Sequence, residues 1–215
     1  MSSELAIKNG NQSVGSYLAK YGKGTAGINF KFDGKEKSYI KTSTKEKIEA
    51  GREFVYVYPR TVVNWLKFNG PGNPPTRIGG YLFDGYNLPE RSTLADTDQS
   101  SWDKGPSGKP EDPWILQVLL PLQDKETGEL FIFQASNSTS RAAADRLIES
   151  CMRMQLKEPG FFPVVKNDIS GFQHREKHVG WVPTPTFARV GKAPADDLAL
   201  ATSAIADDLN DEIPF

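Results

Sequence analysis

From Gly27 the chain alternates, with Ile28, Phe30 and Phe32 on one side and Asn29, Lys31 and Asp33 on the other. This period of two predicts a strand. Asp33-Gly34 predicts a tight turn into a return strand over 38–42. A second β-rich block, 53–68, carries Phe54, Val55, Tyr56, Val57, Tyr58, Val62, Val63 and Trp65, and Pro59 must mark an edge, bend or bulge within it. Over 53–59, Phe54, Tyr56 and Tyr58 share one face and Val55 and Val57 the other, which predicts an aliphatic core face and an aromatic outer face. Short strands are predicted over 77–83, 114–122 and 130–133, the last two joined through a turn at Gly128. Ser138-Thr139-Ser140 supplies helix-capping hydroxyls. Ala144, Leu147, Ile148, Cys151 and Met152 then recur at helical spacing, and Pro159-Gly160 ends the helix. Strand-like segments return near 161–165 and 179–190, the second made irregular by Pro183 and Pro185.

Between these elements lie segments without periodicity. Residues 1–24 are polar and Gly-rich around a short predicted helix at 13–20, and 69–75 is a Gly/Pro loop. Residues 84–113 form a long polar, Gly- and Pro-rich stretch, of a length that in compact domains is functional or disordered. Residues 191–206 are Ala/Asp-rich and read as a tether, in which Leu198, Ala201, Thr202, Ile205 and Leu209 could line one face of a transient helix. The expected fold is mainly β (α+β): an OB-like five-stranded barrel with one helix between late strands, although other α+β arrangements fit the same order. It would occupy residues 1–190, followed by a disordered acidic tail over 191–215.

Composition narrows the class. With 215 residues the chain can bury a good core in one domain. It has no apolar run near the roughly 20 residues of a membrane span and no basic-then-apolar leader pattern. The single Cys151 excludes an intrachain disulfide and fits a reducing compartment, so a soluble, cytoplasmic protein is expected. The 26 Lys+Arg nearly balance the 27 Asp+Glu, but unevenly. Residues 193–215 hold six acidic side chains (Asp196, Asp197, Asp207, Asp208, Asp211, Glu212) and no basic one, leaving 26 basic against 21 acidic in residues 1–192. A basic body with an acidic tail suits a nucleic-acid binder with a separate arm for protein partners.

Aromatic rings interleaved with cations are what single-strand binding needs, because bases stack on rings while Lys and Arg track phosphates. Tyr56, Tyr58 and Trp65 are the preferred stackers, with Lys31, Lys35, Lys37, Arg52, Arg60, Lys67 and Arg77 as phosphate contacts. Core burial competes with this reading for every ring, and a solvated Lys-rich hairpin competes for the lysines. The stretch Gly22-Lys23-Gly24-Thr25-Ala26-Gly27 matches G-x-G-x-x-G but precedes a strand rather than a helix, so it is read as chance. His174 and His178 stand four apart in a segment that does not look helical, which disfavours zinc. Asp96, Asp98, Asp103, Glu111 and Asp112 sit in the long loop, whereas two-metal nucleases need carboxylates on rigid elements. No catalytic constellation, cofactor site or metal site emerges, so a non-enzyme is expected.

The chain ends Asp207-Asp208-Leu209-Asn210-Asp211-Glu212-Ile213-Pro214-Phe215. Phe215 joins an aromatic ring to the terminal carboxylate, Pro214 stiffens the approach, and the carboxylates steer toward basic surfaces. This tip resembles that of bacterial and phage single-stranded-DNA-binding proteins, with Glu212 where their pattern usually has Asp. The resemblance covers the tail alone. It implies that Asp207, Asp208, Asp211, Glu212, Ile213, Pro214 and Phe215 recruit replication or recombination proteins. The function expected is binding of single-stranded DNA with little sequence preference, and assembly into a homo-oligomer is compatible with it. Two alternatives stay open: an accessory protein of replication, recombination or anti-host defence that carries the tip without binding DNA, and a metal-dependent nuclease.

Overall fold

In a computed structural model the described residues are 27–70, 72–105, 108–176 and 180–194. The tip residues Asp207, Asp208, Asp211, Glu212, Ile213, Pro214 and Phe215, the segment 13–20 and His178 lie outside them.

The alternation from Ile28 forms β1 (Ile28–Asp33), and the Asp33-Gly34 turn returns it as β2 (Ser38–Lys41). The Asp33 carboxylate closes that turn by accepting the N–H groups of Lys35 and Glu36. A two-residue β3 (Lys47–Ile48) follows. Then come β4 (Glu53–Tyr56), a 3-10 turn at Tyr58–Arg60 holding Pro59, β5 (Val62–Lys67) and β6 (Thr76–Tyr81). After the long loop, β7 (Trp114–Asp124) and β8 (Leu130–Ala135) lead into the helix α1 (Ser138–Lys157), and β9 (Phe161–Gln173) and β10 (Trp181–Pro194) complete the described chain.

All ten strands join one open, curved sheet in the order β10-β9-β4-β7-β8-β1-β2-β3, with β5 pairing both β6 and β7. Only β1 and β8 run parallel. The protein is therefore mainly β, with a single α-helix and ten strands among the described residues where five strands were expected. The 11-residue β7 takes β4 along Leu122–Asp124 and β5 along Trp114–Leu119. The β4-Pro59-β5 stretch is thus one strand path broken by a 3-10 turn, because proline cannot donate to the ladder.

The main core lies on the concave side, where Phe30, Tyr39, Phe54, Tyr56, Phe131 and Phe133 meet Ala144, Leu147, Ile148 and Cys151 of α1. Ring centroids stand 5.2 Å apart for Phe30–Phe133 and 5.6 Å for Phe54–Phe131. The predicted helical stripe is buried except at Met152, which faces solvent; Met154 is buried instead. Burial pushes the Cys151 thiol up to about 12, so it is a protonated core group.

The faces of β4 correct the sequence reading. Tyr56 is 0% exposed and its hydroxyl lies 2.6 Å from Thr61 Oγ1, so it cannot stack a base. Val55 and Val57, on the other face, are also buried, against Val164 and Ala193. Alternation separates two faces, but a central strand covered on both sides does not reveal which one bears the main core. β10 runs to Pro194, so residues 191–194, read as the start of the tether, are strand. No helix among the described residues is long and apolar enough to cross a membrane.

Candidate nucleic-acid interface

The residues expected to hold nucleic acid do not form one surface. Lys35 and Lys37 are exposed at the β1–β2 turn, and Lys31 is half-buried beside them on β1. Arg52 donates to the buried Asp124 carboxylate and its guanidinium lies 5.1 Å from the Phe131 ring. Arg60 is half-buried in the 3-10 turn. The Tyr58 ring packs at 5.0 Å against both Phe83 and Phe162. Arg77 is half-buried on β6, and that burial draws its guanidinium below the ordinary arginine range.

Trp65 and Lys67 are engaged by the long loop, which is a built element. The Trp65 indole donates to Pro89 O at 2.9 Å. Asp96 is the loop's keystone: its carboxylate accepts Lys67 Nζ at 2.6 Å and Trp114 Nε1 at 3.1 Å. Its carbonyl accepts Arg91 Nη2 at 2.7 Å and Trp102 Nε1 at 2.8 Å. Arg91 also grips both oxygens of Asp112, at 2.9 and 2.7 Å. The Lys67 hydrogen bond, ahead of the opposing effect of burial, holds the Asp96 carboxyl below its usual range. Asp96→Ala is therefore expected to open residues 84–113 to limited proteolysis while the rest of the chain stays protected; an unchanged cleavage pattern would contradict this keystone role. Among the described residues no three His, Cys, Asp or Glu side chains are placed to hold a metal ion.

A cleft of about 550 Å³ opens between the first turns of α1 and the outer half of the β9–β10 hairpin. On the helix side Asn137 caps α1, its Oδ1 accepting Ser140 N–H at 2.8 Å and Thr139 Oγ1–H at 2.9 Å. Ser138, Thr139 and Arg146 face the cleft from that side, and Ser170, Phe172, Thr184 and Thr186 from the hairpin. The lining therefore carries one cation, several hydroxyls and no carboxylate among the described residues. Arg146 has no ion-pair partner among them, unlike Arg52, Lys67 and Arg91. The N-terminal dipole of a 20-residue helix adds positive potential at the same place.

The hairpin carries aromatic surface past the cleft. Phe172 is 47% and Trp181 56% exposed. Trp181 pairs with Gln173 and Phe172 with Val182, so the two rings lie on opposite faces. A Cβ on Gly171 would stand 2.6 Å from the Trp181 indole, so only glycine lets that ring lie across the strand. The His174 ring is 6.5 Å from Phe172, its Nδ1 accepts Glu176 N–H at 3.1 Å, and Arg175 is exposed beside it.

Sequence reading passed over this site. Pro183 and Pro185 hid the length of β10, and the hydroxyls at 138–140 read as capping groups, whereas Asn137 is the cap and they lie in the first turn of α1. The available signal was aromatic and basic interleaving in Gly171-Phe172-Gln173-His174-Arg175, closed by Gly180-Trp181. No protein-family model, curated protein or solved structure matches the chain.

Proposed function

We propose that this chain binds single-stranded DNA with little sequence preference along the cleft between α1 and the β9–β10 hairpin. The observation that carries the reading is the meeting of Arg146, which has no ion-pair partner among the described residues, with helix-terminal hydroxyls and the exposed Phe172 ring in one cleft whose described lining holds no carboxylate. Arg146 and the α1 N-terminus suit a phosphate, while Phe172 offers a face on which any base can stack. Stacking without base-edge contacts gives little sequence preference. Arg175 and the exposed Lys35 and Lys37 would extend the path of the strand, and no catalytic step is invoked. The curved sheet with its one helix would serve as an enlarged OB-like scaffold. The tip 207–215 would recruit replication or recombination proteins in the cytoplasm of a bacterial or phage-infected cell.

Anisotropy titration of a labelled dT oligonucleotide at two salt concentrations, with the full chain and a 1–206 truncation, tests the division of labour. The expected result is salt-sensitive binding that the truncation retains or strengthens. Absence of binding by both would overturn the proposal and favour a protein that carries the tip without binding DNA.

A further inference from the structure

We infer that the Tyr39 hydroxyl is a positioning group for the DNA cleft, fixing the hairpin wall by bridging the β9–β10 ladder at the Asp168–Thr186 pair. The inference rests on the proposed cleft reading. Tyr39 belongs to β2, near the end of the sheet opposite β9 and β10, yet it reaches them across the concave face. Its hydroxyl accepts Thr186 N–H at 3.1 Å and stands 2.8 Å from Asp168 O and 3.0 Å from Thr186 O. One proton can serve only one of the two carbonyls at full strength, and the shorter contact makes Asp168 the main acceptor. Asp168 and Thr186 are register partners, so a hydroxyl within reach of both carbonyls lies between the two strands.

The ring is held rigidly. Tyr39 is 0% exposed and packs against Phe32 at 5.4 Å, Phe187 at 5.9 Å and Phe133 at 6.0 Å. Burial raises its hydroxyl far above the ordinary tyrosine range, so it remains a donor at any working pH. Thr186 itself lines the cleft, and Ser170 and Thr184 lie two positions beyond the bridged pair. The bridge thus sits where the hairpin leaves the core and becomes the cleft wall. Backbone direction agrees: with the polar groups of Thr186 turned toward β9, residues 183 and 185 turn theirs outward, and both are prolines. The outward edge therefore lacks N–H donors at these positions, and a paired strand there would not substitute for the bridge.

The test compares Tyr39→Phe with the full-length protein. The ring stays, so a folded variant is expected, with faster amide exchange at Thr186 and affinity for a dT oligonucleotide lowered about fivefold, the scale of one hydrogen bond. A general loss of stability would add to every other substitution, whereas a displaced wall would not. Tyr39→Phe should thus cost little further affinity in a Phe172→Ala background but its full effect in a Lys35→Ala background. If Tyr39→Phe does not fold, Thr186→Pro, which deletes the bonded N–H, should show the same loss relative to Thr186→Val. Unchanged exchange at Thr186 refutes the bridge. Faster exchange with unchanged affinity refutes the positioning role while leaving the cleft in place if Phe172→Ala still weakens binding. DNA binding by the unmodified chain that neither Phe172→Ala nor Arg146→Ala disturbs removes the cleft reading and this inference with it.

Discussion

Replacing Phe172 and Arg146 together by alanine is expected to lower affinity for a dT oligonucleotide by about a hundredfold at moderate salt. A base stacked on an exposed ring contributes roughly 1–3 kcal/mol. Loss of a phosphate contact adds about a further kilocalorie at moderate salt. The two parts separate by their salt dependence. Arg146→Ala should reduce the slope of log affinity against log salt by about one, whereas Phe172→Ala should shift the line without tilting it. Neither side chain belongs to the buried core, so thermal unfolding should change little. Wild-type affinity in the double variant would place the strand elsewhere, with the lysine-rich β1–β2 turn the next surface to test.

The second large effect concerns stability. Asp124 is buried at the end of β7, where its carboxylate accepts Arg52 Nε, the N–H groups of Glu126 (2.9 Å) and Thr127 (2.7 Å), and the Thr127 hydroxyl at 3.1 Å. Burial opposes the charge, but the Arg52 and backbone hydrogen bonds outweigh it and hold the carboxyl below its ordinary value of 3.8. A depressed carboxylate contributes stability that is fully present above the unfolded-state pKa and is lost as pH falls through the folded-state value. Asp124→Ala is expected to cost about 3 kcal/mol at pH 7, because it removes a buried ion-pair partner and unties the turn into β8. Urea unfolding of both proteins at neutral and strongly acid pH checks this. The difference should narrow once wild-type Asp124 is protonated, and a pH-independent difference would contradict the electrostatic account.

Local pattern carried the reading of the fold a long way. The Phe30/Phe32 alternation, the Asp33-Gly34 turn and the Ala144–Cys151 stripe each depend on neighbours in sequence, and each forms as expected. Sheet order does not depend on neighbours in sequence. The β1–β8 pairing joins residues about a hundred positions apart, and the two-residue β3 has no period to read. Tyr56 illustrates the same gap: its strand was legible, but which face met the core depended on β7, β9 and α1 together. The cleft was legible least of all, because Ser138, Arg146, Phe172 and Thr186 come from elements whose juxtaposition is set by packing and by the Tyr39 bridge. The tip remains a sequence inference throughout, since 195–215 lie outside the described residues.

The most direct measurement is ultraviolet crosslinking of a dT oligonucleotide to the full chain, with adducts located by mass spectrometry. Binding along the cleft predicts adducts concentrated at Phe172 on the cleft face of the β9–β10 hairpin, suppressed by high salt. Adducts confined to other strands, or none under conditions where a known single-strand binder crosslinks, would contradict it.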